Sequence, residues 1–257
     1  MTDKPKRRWY QYSLRSLLVF VVVASIGFSW LATRLKRAKA RHQAAAEVQK
    51  VAAEIQSLGG SVDIDCLDEP NWFDRLLGDP GVLRVDHVRG GSEFGSLGMK
   101  KLKGLNDLRI LNLFLAEVTD ADLVYLEGLD NIEHLSLRGS PITDAGLKHL
   151  EGMTNLRYLN LAQTQVTGRG LEHLKGLTDL NMLVLFETPI TDASLKHVKG
   201  MTSLYRLYAS STGVTDSGLE YLENLPRLVR LNLRFTRSLA CKVVKSFSVP
   251  ERVAVVK

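Results

Sequence analysis

The sequence is poor in cysteine, with only Cys66 and Cys241 among its 257 residues. It has no Cys-x-x-Cys pair and no Cys/His cluster at metal-ligand spacing, so nothing points to a metal site. The two cysteines lie near opposite ends of the folded region, too far apart in an extended fold to bridge. They read as small buried apolar residues. Catalytic frames are missing too: no Walker loop, no Gly-x-Gly-x-x-Gly, no His-Glu-x-x-His and no Gly-x-Ser-x-Gly. The chain therefore does not read as an enzyme, and no cofactor or small-molecule substrate is expected.

Acid is scarce at the N-terminus. Residues 1–50 hold eleven Lys or Arg against Asp3 and Glu47, a net of +9 in a chain whose total is +6, which leaves −3 for the rest. A slightly acidic body behind a basic tail excludes a nucleic-acid-binding domain, because phosphate contacts need a basic face on the folded part.

Charge is absent from Ser16 to Thr33, eighteen residues that as a helix would reach about 27 Å, the short end of what crosses a bilayer core. Trp9, Tyr10 and Tyr12 precede this stretch, and Phe28 and Trp30 stand near its close, where amphipathic rings settle at a membrane interface. It runs into Arg34-Leu35-Lys36-Arg37 instead of a small-residue cleavage site, and Ala38-Lys39-Ala40 lies beyond that run. The expectation is an uncleaved single-pass signal-anchor through residues 16–33. Five basic residues precede it (Lys4, Lys6, Arg7, Arg8, Arg15) and five follow (Arg34, Lys36, Arg37, Lys39, Arg41), so the positive-inside count selects neither side. Residues 34–58 are rich in helix formers, with Val48, Val51, Ile55 and Leu58 at helical spacing before Gly59-Gly60. They predict a helical stalk of up to about 37 Å whose end docks on the folded domain.

From Leu105 a repeat of 24 residues organises the chain. Leu108 steps to Ile132, Leu156, Leu180, Leu204 and Leu228; Leu111 and Leu113 open parallel columns ending at Leu231 and Leu233. Val118, Leu123, Leu126 and Leu129 begin four more. Leu-x-x-Leu-x-Leu has the period of a half-buried strand, and Leu147, Leu150 and Met153 mark one face of a short helix. Thr143 caps that helix, Asp144 suits its N-terminal dipole and Gly152 ends it. One unit cannot bury both apolar faces, but stacked units can. Strands sit about 4.8 Å apart and packed helices need about 8–10 Å, so the array should curve with its parallel sheet concave.

The phrase Thr-Asp-Ala-Gly-Leu at Thr143–Leu147, set in a Leu-x-x-Leu-x-Leu frame, resembles the leucine-rich-repeat family. It is most similar to the bacterial 24-residue type and to the repeats of F-box-type receptors, although no F-box-like module precedes it. The resemblance implies an α/β fold, a right-handed solenoid with short convex helices. It departs at the ladder position, usually Asn and here Ala116, Ser140, Thr164, Thr188, Thr212 and Thr236; a Thr hydroxyl still reaches backbone groups of the tight turn. Upstream, residues 61–66 and 82–88 read as strands and 71–78 as a short helix. The chain thus divides into basic N-terminus and anchor (1–33), stalk (34–58), N-terminal cap with degenerate first repeat (59–104), repeats (105–237) and C-terminal cap (238–257), the last ending in an edge strand.

His149, His173 and His197 recur every 24 residues, but neighbouring helices stand too far apart for them to converge on one ion. They read as helix-flank residues. The aspartates Asp120, Asp144, Asp192 and Asp216 read as helix-start electrostatics, not paired catalytic carboxylates. Binding remains. Among the strand residues that face away from the core, Tyr158, Met182, Val184, Phe186 and Tyr208 gather in three adjacent repeats, bordered by Arg206 and Arg230. These types are enriched in interfaces. The expectation is a membrane-anchored scaffold that recognises a protein partner on this face. The alternatives are a structural spacer without a tight partner, or a cell-wall or carbohydrate ligand.

Overall fold

The computed structural model describes residues 14–68, 72–76, 82–223, 225–236 and 254–256, with side chains described for 21–66, 74–76, 83–223 and 225–236. It divides into two compact units, one formed by Met1–Ala46 with Leu67–Val82 and the other by Glu47–Cys66 with Leu83–Lys257.

Helix α1, Leu14–Ser57, is continuous, with no break where anchor and stalk were expected to meet. In the first unit it exposes Val21, Val22, Val23, Ile26, Phe28 and Trp30. Arg34 Nη1 donates to both carboxylate oxygens of Asp74, at 2.7 and 3.0 Å, and its guanidinium lies over the Trp30 ring. Asp74 belongs to α2, Trp72–Leu76. Among the described residues, no helix is long and apolar enough to cross a membrane. The expected span Ser16–Thr33 begins outside the residues whose side chains are described. The part within them, 21–33, is thirteen residues, about 20 Å of helix and too short alone.

The second unit carries the repeats. Its sheet has nine strands in sequential order: β1 Ser61–Asp68, β2 Val82–Arg89, β3 Ile110–Asn112, β4 His134–Ser136, β5 Tyr158–Asn160, β6 Met182–Val184, β7 Arg206–Tyr208, β8 Arg230–Asn232 and β9 Ala254–Val256. From β2 onward every pairing is parallel, and from β3 to β9 each register step is 24 residues, as in Ile110↔His134 and Arg230↔Ala254. Residues 237–253, which include Cys241 and most of the segment 238–257 read as a C-terminal cap, lie outside the described residues. Cys66, expected inside, is exposed, because β1 is the edge strand and no repeat packs beyond it.

Each of the five repeats between Leu108 and Leu225 contributes eight buried residues to the interior. In the first full repeat Leu108, Leu111, Leu113, Ala116, Val118, Leu123, Leu126 and Leu129 are each no more than 2% exposed. The segments behind β3–β7 are short: Asp120–Leu126, Gly170–Leu174 and Asp216–Leu222 are 3-10 helices, and Asp144–Leu147 and Asp192–Leu195 are single α-turns. The three-residue spacing of Leu147, Leu150 and Met153 suits a 3-10 repeat, which places residues three apart on one face. The helix α1 also reaches this core: Ile55 is fully buried in it, with Val48, Val51 and Val62 packed alongside. Gly59, at φ 71°, stops the helix, and the Gly60 amide donates back to the Ile55 carbonyl.

In the turn after each strand, Thr164, Thr188 and Thr212 donate their hydroxyls to Leu161, Leu185 and Ala209 carbonyls at 2.6 Å. Each closes its own turn. The preceding residue is left-handed in every repeat: Leu115, Gln163, Glu187, Ser211 and Phe235 lie at φ 53° to 58°, and Gly139 at 76°. That conformation aims the amide at the next repeat, as when Gln163 donates to the Phe186 carbonyl and Ser211 to that of Arg234, both at 2.8 Å.

Candidate recognition face

Alternate strand residues enter the core, so the others form columns across the outer sheet face. The register sets Tyr158 beside Met182, Met182 beside Arg206, Arg206 beside Arg230 and Val184 beside Tyr208. Phe186 follows β6 in the turn. The seven residues singled out from the sequence are thus brought together on one face of four consecutive strands. Six are half-buried and Arg230 is exposed.

Within this patch the Arg206 guanidinium lies over Tyr205, 5.6 Å from the ring centre. Its Nε is shielded from solvent and has no hydrogen-bond partner. Among the described residues, neither Arg206 nor Arg230 has a carboxylate at ion-pair distance. Two like charges therefore stand on adjacent strands without compensation.

The other half of the face carries ion pairs. Asp86 within β2 and Arg109, Glu133 and Arg157 just before β3, β4 and β5 alternate in sign: Arg109 is 2.7 Å from Glu133 and Arg157 is 3.1 Å from it. The hydrogen bond from Arg109 holds the Glu133 carboxyl below the usual range, against the opposing effect of burial, and Glu133 in turn raises Arg109. Their column continues as Asn181, Tyr205 and Val229, without charge. Further along the face Arg138 lies over Phe114 at 5.0 Å and donates to Gln163, which donates to Glu187.

The sequence reading passed over a groove on β3–β5. Ile110, Asn112, Phe114, His134, Ser136, Arg138, Tyr158 and Asn160 line about 340 Å³. His134 stacks on Tyr158 at 5.8 Å and Asn160 donates to the Tyr158 hydroxyl. Of these only Tyr158 was singled out. The signal available was Phe114, a phenylalanine in a column facing away from the core, and 42% of it is exposed.

The histidine column flanks the repeats as expected. His149 Nδ1 meets Glu127 at 2.7 Å and His173 meets Glu151. The corresponding residue for His197 is Lys175. Burial pushes the His197 imidazole below its ordinary value, Lys196 and Lys175 add to this, and Glu172 opposes it. Among the described residues no cluster of His, Cys, Asp or Glu can hold a metal.

The leucine-rich-repeat family profile matches residues 130–150 and 152–175. Over residues 130–175 the chain is similar to leucine-rich repeats. Among solved structures it is similar to internalin C2 from Listeria monocytogenes, with 22% identity, 67% of this chain and 81% of that one covered, and a TM-score of 0.48. It is similar also to a leucine-rich-repeat protein of Leptospira interrogans, with 17% identity, a TM-score of 0.47 and 62% of this chain covered; the match spans 45% of that protein. No curated protein matches the sequence.

Proposed function

We propose that the chain is a membrane-anchored scaffold that recognises another protein on the outer face of β5–β8. The observation that carries this is the patch itself: Tyr158, Met182, Val184, Phe186 and Tyr208 in register, with Arg206 and Arg230 uncompensated beside them. Aromatic, Met and Arg side chains in a partly desolvated cluster are the composition of interface hot spots. The exposed apolar stretch Val21–Trp30 of α1 supports the anchor, since it lies within Ser16–Thr33, eighteen residues without a charge.

A photo-crosslinking residue at position 208 in the full chain, expressed in its native membranes, tests the recognition face. A discrete adduct at 208, absent with the crosslinker at Lys148 on the far side and absent in the Arg206→Glu variant, is expected. The same background at both positions sinks the reading and favours a spacer without a tight partner. Alkaline extraction tests the anchor: the chain stays with the membrane, and a Val22→Asp/Ile26→Lys variant is released. Release of the unmodified chain defeats it.

A further inference from the structure

The outer sheet face changes character along the repeat axis. On β3–β5 Arg109, Glu133 and Arg157 form ion pairs and Arg138 donates its Nε–H to Gln163, whereas on β6–β8 an apolar step made by Met182, Val184 and Phe186 gives way to Arg206, which lies over Tyr205 with its Nε–H unbonded, and to Arg230. The second arrangement is costly for the free protein. Two guanidinium groups share adjacent strands, and the Arg206 Nε–H, one arm of the fork that takes a carboxylate side-on, is withdrawn from water with no acceptor. Both costs are recovered if an acid arrives from outside.

We propose that this patch takes an extended segment of the partner protein, lying across the strands, that carries an apolar residue and an aspartate or glutamate two positions away. This rests on the reading of the face as a protein-recognition surface and names what it recognises. The spacing follows from the sheet. Strands stand about 4.8 Å apart, so the midpoint between β7 and β8 lies about 7 Å from β6. Successive same-side residues of an extended chain are also about 7 Å apart. An apolar side chain on Met182, Val184 and Phe186 thus sets the second residue onward between Arg206 and Arg230, where one carboxylate meets both. A polyanion fits less well, because the body outside the first fifty residues carries a net of −3.

Fluorescence anisotropy on the purified full chain in nanodiscs tests this with short labelled peptides of Ser and Thr that carry Phe-x-Glu, Phe-x-Gln, Phe-x-Lys or adjacent Phe-Glu. The Phe-x-Glu peptide binds at least about tenfold tighter than the Gln and adjacent-residue peptides, and rising salt weakens it. Arg206→Lys, which keeps the charge and loses the Nε arm, weakens it severalfold. The double reversal Arg206→Glu/Arg230→Glu transfers the preference to Phe-x-Lys, an outcome that only a folded protein can give. Equal binding of the Glu and Gln peptides, binding of none, or tighter binding of a single-stranded oligonucleotide that Arg206→Glu abolishes overturns the inference. If the peptides fail while the adduct at position 208 persists, this inference falls and the recognition reading stands. If both fail, both fall.

Discussion

Asp144 and Thr167 belong to successive repeats, yet the Asp144 carboxylate accepts both the backbone amide and the hydroxyl of Thr167. Asp120 does the same for Thr143, and Asp192 for Thr215, there with both contacts at 2.6 Å. Opposite these carboxylates stand Gly146, Gly170 and Gly218, where a Cβ would come within 2.4 to 2.5 Å of the aspartate Oδ1. Where the preceding repeat has no aspartate, at Ser96 and Gly168, the glycine is replaced too. Asp122 and Ser194 stand there and accept their own Thr119 and Thr191 amides at 2.9 Å. Each threonine amide is thus served once, from the repeat behind or from its own helical turn. Burial pushes the Asp122 carboxyl up, but hydrogen bonds from Ser96 and Thr119 together with Lys100 outweigh it and leave it below the ordinary range.

This exchange predicts strong coupling between positions 168 and 194. A side chain at 168 meets the Ser194 Oγ at 2.4 Å and its Cα at 2.8 Å, so Gly168→Asp alone costs about 1–3 kcal/mol. Ser194→Gly alone leaves the Thr191 amide unserved and costs about 1 kcal/mol. The double variant rebuilds the arrangement of the neighbouring repeats and falls within about 1 kcal/mol of the parent, a coupling of at least about 1 kcal/mol. Urea midpoints of the four proteins measure it, and additive costs contradict the exchange.

The end of α1 belongs to the repeat core, which gives a second prediction. Ile55 is fully buried, with its Cγ2 against Gly60. Ile55→Ala is expected to lower stability by about 2–4 kcal/mol, while Lys50→Ala on the exposed side stays within about 0.5 kcal/mol. A chain begun at Gly59 loses Ile55 outright and melts below one begun at Glu47. Equal melting temperatures for the two truncations contradict the assignment.

The 24-residue columns made the strands, the core and the outward-facing residues readable in advance, because burial repeats wherever the register does. The aspartates were read too locally. Helix-dipole reasoning looks within one repeat, whereas Asp144 acts on a residue 23 positions away. The joint change at Gly168 and Ser194 was visible in the sequence, but its meaning needed the contact between repeats. The groove on β3–β5 was missed for a related reason: Phe114, Arg138, His134 and Tyr158 acquire their role by stacking across strands.

His197 gives the chain a pH-dependent element. Its folded-state value lies below the ordinary imidazole value, chiefly through burial and then through Lys196. The folded state therefore binds fewer protons than the unfolded chain, so the stability this neutral imidazole contributes is present above about pH 6.5 and is lost as the pH falls through the depressed folded value. Tyr125 and Tyr221 occupy the same slot in other repeats, so His197→Tyr supplies a native-like residue without the titration. The variant is expected to lose less melting temperature than the parent between about pH 7.5 and about pH 5. An identical drop in both proteins assigns the acid sensitivity elsewhere.

The left-handed column gives the last prediction. Ser211 lies at φ 54° so that its amide meets the Arg234 carbonyl at 2.8 Å. An L-residue there crowds its Cβ against the backbone, at a cost of about 1–2 kcal/mol that glycine avoids. Glycine in turn loses about 0.5–1 kcal/mol through its freer unfolded chain. Ser211→Gly is therefore expected to be neutral to slightly stabilising, as the native Gly139 in the same slot suggests. Ser211→Ile places a β-branched side chain where that conformation is least accessible and costs about 2 kcal/mol or more relative to glycine. Denaturation of the two variants reads the difference directly. If isoleucine is tolerated as well as glycine, the turn can abandon its left-handed form without losing the bond to Arg234, and the column is not what links the repeats on this side.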